Sequence, residues 1–127
     1  YQPLPKEGWN KSDTLFFYVD VLDSLEHYDL NIQIRNRNDY PYQNLSVSIT
    51  HNIQDTCCWY KEVLTCDLTN EDGQWKGNGW GALYQNSYNL SEFISLQSGI
   101  HTIKISHEMK DSVLTGISDI GIRIDKK

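Results

Sequence analysis

No stretch of this 127-residue chain approaches the uninterrupted apolar length of a membrane-spanning helix, and the periodicity of an amphipathic helix is almost absent. The first absence excludes a helical membrane protein and the second a helical bundle. The opening residues Tyr1-Gln2-Pro3-Leu4-Pro5-Lys6 lack the apolar centre of a signal peptide. Positive charge is scarce: 11 basic residues stand against 17 acidic ones, the net charge is -6, and no basic run is longer than Lys126-Lys127. A general electrostatic grip on nucleic acid or on an anionic membrane surface is therefore not expected. There is no internal repeat and no low-complexity tract, and the length fits one domain able to bury a core without covalent staples.

Cysteine is too sparse for a disulfide scaffold. Cys57, Cys58 and Cys66 are odd in number, and the neighbours Cys57 and Cys58 would point to opposite faces of a strand, so at most one would meet Cys66 across a hairpin. No two cysteines show the two-residue spacing of a zinc knuckle, so adding His51 makes a poor metal set. His27, His51, His101 and His107 are scattered and assemble into a triad only by arbitrary choice. No acid pair flanked by aromatics stands out for glycoside hydrolysis. These absences point away from catalysis and give no reason to expect a metal or another cofactor.

What the chain has is alternation. Leu15, Phe17, Val19 and Val21 alternate with Thr14, Phe16, Tyr18 and Asp20, and Leu30, Ile32 and Ile34 alternate with Asn31, Gln33 and Arg35. The same period of two runs through Leu45, Val47 and Ile49, through Leu64, Cys66 and Leu68, and through the later segments around Ile103 and Ile120. With further strands expected at 80–84 and 90–96, about eight strands are separated by Asn, Asp, Gly and Pro clusters. The expected fold is all-β: an antiparallel two-sheet sandwich, jelly-roll-like, over residues 13–127, preceded by an extended lead-in at 1–12 whose Trp9 pins it to the sandwich. One helical turn is expected at His107 to Leu114, where Met109, Val113 and Leu114 share a face.

Two segments stand out as candidate sites. The block Asp72-Gly73-Gln74-Trp75-Lys76-Gly77-Asn78-Gly79-Trp80-Gly81, followed by Ala82-Leu83-Tyr84, mixes glycine with tryptophan and reads as a tight structured crossing between strands. Its glycines lack the strand-to-helix junction and the lysine-serine pair of a phosphate loop, and Asp72-Gly73 lacks the further carboxylates of a calcium loop. Trp75 and Trp80 either lie under their own glycine loop or form a platform for a sugar ring or a partner protein. The second segment, Asp39-Tyr40-Pro41-Tyr42, reads either as a corner in which proline fixes the backbone, Asp39 accepts local backbone donors and the tyrosines cover a core edge, or as part of an exposed recognition patch. Arg35 and Arg37 share the strand face opposite Ile34 and Asn36, so Arg35, Arg37, Asp39, Tyr40, Tyr42, Trp75, Trp80 and Tyr84 make a candidate recognition patch.

Three segments together resemble the GldH-type gliding-motility lipoproteins of Bacteroidetes. They are Ile34 to Leu45, the Asp72 to Tyr84 block, and Leu114-Thr115-Gly116-Ile117-Ser118-Asp119-Ile120-Gly121-Ile122-Arg123-Ile124, with Trp9 and Met109 also similar. The resemblance implies an exported lipoprotein held at the envelope, outer membrane included, by an acylated cysteine preceding Tyr1. It also implies partners among other envelope proteins of the gliding and associated secretion machinery. Asp13-Thr14-Leu15, Asp23-Ser24-Leu25 and Asp111-Ser112-Val113 resemble the Bacteroidetes O-glycosylation consensus, which marks Thr14, Ser24 and Ser112. The competing expectation is a carbohydrate-binding module, with a glycan as partner, resting on the aromatic content.

Overall fold

The computed structural model describes residues 2–21, 27–55, 58–94 and 99–126. Seven long strands carry the fold: β3 (Leu15–Val21), β4 (His27–Arg37), β5 (Asn44–Asp55), β6 (Cys58–Asp67), β8 (Leu83–Ile94), β9 (Gly99–His107) and β11 (Ile117–Lys126). Four segments of two or three residues join them: β1 (Gln2–Pro3), β2 (Trp9–Asn10), β7 (Asn78–Trp80) and β10 (Val113–Leu114). All pairings are antiparallel, in a five-stranded sheet ordered β1-β11-β4-β8-β7 and a four-stranded sheet ordered β3-β9-β5-β6, with β2 and β10 pairing by themselves.

The alternation seen in the sequence decides which face each strand buries. Along β4, Tyr28, Leu30, Ile32, Ile34 and Asn36 are buried while Asp29, Asn31, Gln33, Arg35 and Arg37 stay half-exposed on the other face. Ile103 and Ile105 of β9 and Leu45, Val47 and Ile49 of β5 supply the facing layer, all fully buried. Removing such aliphatic side chains from water, at roughly 25 cal/mol per Å² of apolar surface, is what holds the two sheets together.

Order along the chain and order in space differ. After β3 the chain passes to the five-stranded sheet for β4, returns for the β5–β6 hairpin, crosses again for β7 and β8, returns for β9 and crosses once more for β11. Three of these crossings, at residues 38–43, 68–77 and 108–116, leave from or arrive at the same end of the sandwich, because Arg37 pairs with Leu83, Asn36 with Ile117, Asn44 with Asp67 and Val47 with His107.

One expectation is corrected here and one open possibility is narrowed. The segment from His107 to Leu114 forms no helical turn; it runs into β10, whose Leu114 pairs with Trp9 and whose Val113 pairs with Asn10. That pairing satisfies backbone groups through β2, and the Met109 sulfur meanwhile accepts the Ser46 amide at 3.3 Å. Of the two partners left open for Cys66, Cys58 is out of reach, since the two lie on the same strand, eight residues and roughly 26 Å apart. Cys57 lies outside the described residues. Cys66 is a free, buried thiol opposite Leu45, and burial pushes its pKa up to about 12, so it behaves as a small hydrophobe.

Trp9 is almost wholly buried, its indole N–H donates to the Asp13 carbonyl at 3.0 Å, and its ring meets His107 edge-on at 5.3 Å. His107 accepts the Met109 amide on Nδ1 and donates Nε2–H to the Trp9 carbonyl, so the bonds select the neutral imidazole. Burial lowers the pKa of His107 below its ordinary value, and burial does the same to His51. The folded chain therefore binds protons at these sites less readily than the unfolded chain. Stability is fully present above the ordinary histidine value of 6.5 and falls as pH drops through and below it. Urea unfolding midpoints are expected to hold steady from about pH 8 to 7 and to decline towards pH 5. His107→Gln should flatten part of that decline, and an unchanged slope would remove His107 from the account.

Candidate functional site

Each of the three crossings at one end of the sandwich overlaps one motif segment: 38–43 lies inside the first, 68–77 runs into the second and 108–116 runs into the third. Arg37, the last residue of β4, donates its amide to the Gly116 carbonyl at 2.8 Å, and Asn38 next to it donates to the Ala82 carbonyl at 2.9 Å. The first motif is thus clamped between the third and the second. The corner then folds back through a bond from the Tyr40 amide to the Arg37 carbonyl, and Leu68 donates to the Gln43 carbonyl as the chain enters β5.

Tyr40 is the centre of this end. Its ring is buried, its hydroxyl donates to the Asn44 carbonyl at 2.7 Å, and Tyr42 meets it edge-on at 5.9 Å while Trp75 tilts against it at 6.4 Å. Trp75 in turn lies 6.0 Å from Tyr84. Tyr42 closes the other side by donating its hydroxyl to an Asp111 carboxylate oxygen at 2.7 Å. The glycine block reaches this cluster because Asn70 organises the turn: its side-chain oxygen accepts the amides of Asp72 and Gln74, both at 3.0 Å. Gly77 then runs so close to β8 that a Cβ there would lie 2.2 Å from the Gln85 carbonyl oxygen.

The electrostatics are those of a structural cap. Burial raises the Tyr40 phenol above its ordinary pKa, helped by Tyr42 and Asp111, and the bond to Asp111 raises Tyr42. Burial also pushes Tyr88 up to about 12, where its hydroxyl bonds the Asp67 carbonyl. All three phenols stay protonated donors across the physiological range. Among the described residues no group of three or more His, Cys, Asp or Glu is placed to hold a metal ion.

The candidate patch divides. Arg35 and Arg37 do point away from Ile34 and Asn36, onto the outer face of the five-stranded sheet. There Arg35 donates Nε–H to the Gln85 side-chain oxygen at 3.1 Å and stands opposite Asp119 in register, while Arg37 lies 3.5 Å from exposed Asp39. Tyr40, Trp75 and Tyr84 instead join the packed end, and Tyr40 is buried there, as in the reading that has the corner's tyrosines cover a core edge. Trp75 is half-buried against Tyr40 and Tyr84, which leaves it unsuited as an open stacking platform. Trp80 occupies an edge position opposite Leu83, and its side chain lies outside the described residues. Thr14 and Ser112 are exposed in loops, and Ser24 lies outside the described residues.

One aromatic surface escaped the sequence reading. Phe16, Tyr18 and Trp59 are 44%, 68% and 48% exposed on the outer face of the four-stranded sheet. The signal was present in β3, where the positions alternating with the buried residues carry aromatics instead of polar groups.

Gly116 is the point where the third motif passes closest to the Tyr40 corner. It has φ of +97°, and a Cβ there would sit 2.6 Å from the Tyr40 Cα, a contact with backbone that cannot swing aside. Gly116→Ala should lower stability by more than about 1 kcal/mol in urea unfolding. Gly81→Ala also has a positive φ, +65°, but meets nothing within 4 Å, and should cost clearly less. Equal losses would show that backbone conformation alone, without the contact to Tyr40, sets the requirement.

The fold and this end together define a two-sheet antiparallel sandwich whose sequence motifs lock one end and leave arginines on an adjoining sheet face. Residues 1–124 match the family described as GldH lipoprotein, and the chain belongs to that family. A gliding motility lipoprotein GldH homolog of Christiangramia forsetii is 34% identical over 126 residues, covering 93% of this chain and 77% of that protein. The gliding motility lipoprotein GldH of Flavobacterium johnsoniae is 28% identical over 128 residues, covering 94% and 79%. A solved structure titled EclA C-terminal domain, sugar-binding protein, covers 96% of this chain and 72% of its own at 13% identity with a TM-score of 0.42, a likeness too loose to carry any argument.

Proposed function

We propose that this chain is a non-catalytic envelope lipoprotein that serves as a component or adaptor of the gliding-motility apparatus and its associated secretion machinery. Membership of a lipoprotein family places its anchor in an envelope membrane, and we assign that anchor to the outer membrane. The observation that carries the adaptor reading is the convergence of all three motifs at one end of the sandwich, where they fix Arg35 and Arg37 on an outward sheet face. The hydrogen-bonded Tyr40 and Tyr42 tie down the corner beside them, and the planar arginine fork loses little freedom per hydrogen bond that it forms.

The test uses the full-length lipidated protein in its native host. Arg35→Ala/Arg37→Ala, with folding checked by thermal unfolding, should lose one envelope protein from the set cross-linked by the parent and should impair surface spreading. Parental cross-links and spreading in the folded variant would reject this face as the contact.

We also propose O-glycosylation at Thr14 and Ser112, which are exposed beside the aspartates of their consensus. Intact mass of the native-host protein should exceed that of a Thr14→Ala/Ser112→Ala variant by a glycan beyond the substitution itself. A difference equal to the substitution alone would sink the assignment.

A further inference from the structure

The outer face of the four-stranded sheet is organised as a shallow trough, independent of the motif-bearing end. Its central strands carry small hydroxyl residues outward, Ser46 and Thr50 on β5 with Thr102 and Ser106 on β9, around a buried Ser48, while exposed Ile100 and Val63 lie on the same face. Its edge strands carry the aromatics, Phe16 and Tyr18 on β3 and Trp59 on β6. Register places Phe16, Lys104, Thr50 and Lys61 in one row across all four strands, a span of about 14 Å at the usual interstrand spacing.

Lys104 is the unusual member. Its ammonium lies 4.4 Å from the centroid of Trp59 and 5.8 Å from that of Phe16, so it is held between two rings over the middle of the trough. Among the described residues no carboxylate lies within ion-pair distance of Lys104 or Lys61. Among the described side chains, Asp20 and Asp67 of this face stand at its corners, opposite Ile100 and Asn44. In a chain of net charge -6, the trough is thus a local positive site with a preorganised ammonium, stacking surfaces and several small hydroxyls.

Those chemistries select the ligand. Protein interfaces are depleted in lysine and serine at their centres, and their strongest contacts seldom use serine or threonine, so this floor is a poor protein anchor. The overall acidity disfavours a polynucleotide. A carboxylated sugar chain uses every element: ring faces against Phe16, Tyr18 and Trp59, hydroxyls on the Ser and Thr floor, and a carboxylate on Lys104. We propose that this face binds a uronate-containing glycan, with Lys104 as the residue that selects the carboxylate.

Calorimetric titration of the folded protein with an alginate hexasaccharide, compared with neutral cellohexaose, tests this directly. The uronate should bind and cellohexaose should bind at least about tenfold more weakly, with the difference shrinking as salt rises. Trp59→Ala should weaken uronate binding about tenfold or more, and Lys104→Gln should remove the preference for the charged chain, with retained folding checked by thermal unfolding because Lys104 is half-buried between the two rings. Absence of binding at about 10 mM sugar, or binding that Trp59→Ala and Lys104→Gln leave intact, would overturn the proposal. So would a dimer in sedimentation that Trp59→Ala dissociates, because a second copy would then be the occupant of the face.

Discussion

The amide of Arg37 reaches the carbonyl of Gly116 at 2.8 Å, and the Tyr40 backbone passes so close to Gly116 that no Cβ fits between them. This contact joins the end of one strand, the corner that follows it and the turn that begins the last strand. The glycine block then packs Trp75 against Tyr40 from the other side. A sandwich whose consecutive strands alternate between sheets must bring its crossings past one another, and here one glycine sets how tightly they can pass. Removing it would move Tyr40, and with Tyr40 the edge-on contact to Tyr42 and the tilted contact to Trp75.

That constraint explains why the motif residues are mostly unreactive. Tyr40 and Tyr42 lie within bonding distance of a carbonyl and a carboxylate and stay protonated. Both spend their hydroxyls on tying the corner together, the buried Tyr40 because a buried donor needs a partner. The arginines two strand positions apart are the part of the same motif left facing outward, and they inherit a fixed geometry from the packed end beneath them. Family membership and geometry therefore meet at one place: the segments that resemble the GldH lipoproteins are those that build this end.

The two outer faces of the sandwich differ in kind. The five-stranded sheet presents arginine, amide and carboxylate side chains along β4, while the four-stranded sheet presents exposed aromatics around a lysine. One protein thus carries two chemically distinct surfaces on opposite sides of a common core. Both are built from side chains that the core does not need, which is why substitutions on them are expected to separate binding from folding.

The sequence by itself determined the strand character, the buried face of nearly every long strand, and the family, because period-two alternation and ordered motifs are local properties of the chain. It also exposed the aromatics of β3 at positions where polar residues alternate elsewhere. Tertiary structure decided the rest, since pairing partners are set by contacts distant along the chain. Pairing with Trp9 drew Val113 and Leu114 into a strand instead of a helical turn, and the length of β6 put Cys58 and Cys66 out of reach of each other. It buried Tyr40 while leaving Arg35 and Arg37 outward, and it brought Lys104 between Phe16 and Trp59, residues from three strands whose proximity no local pattern encodes.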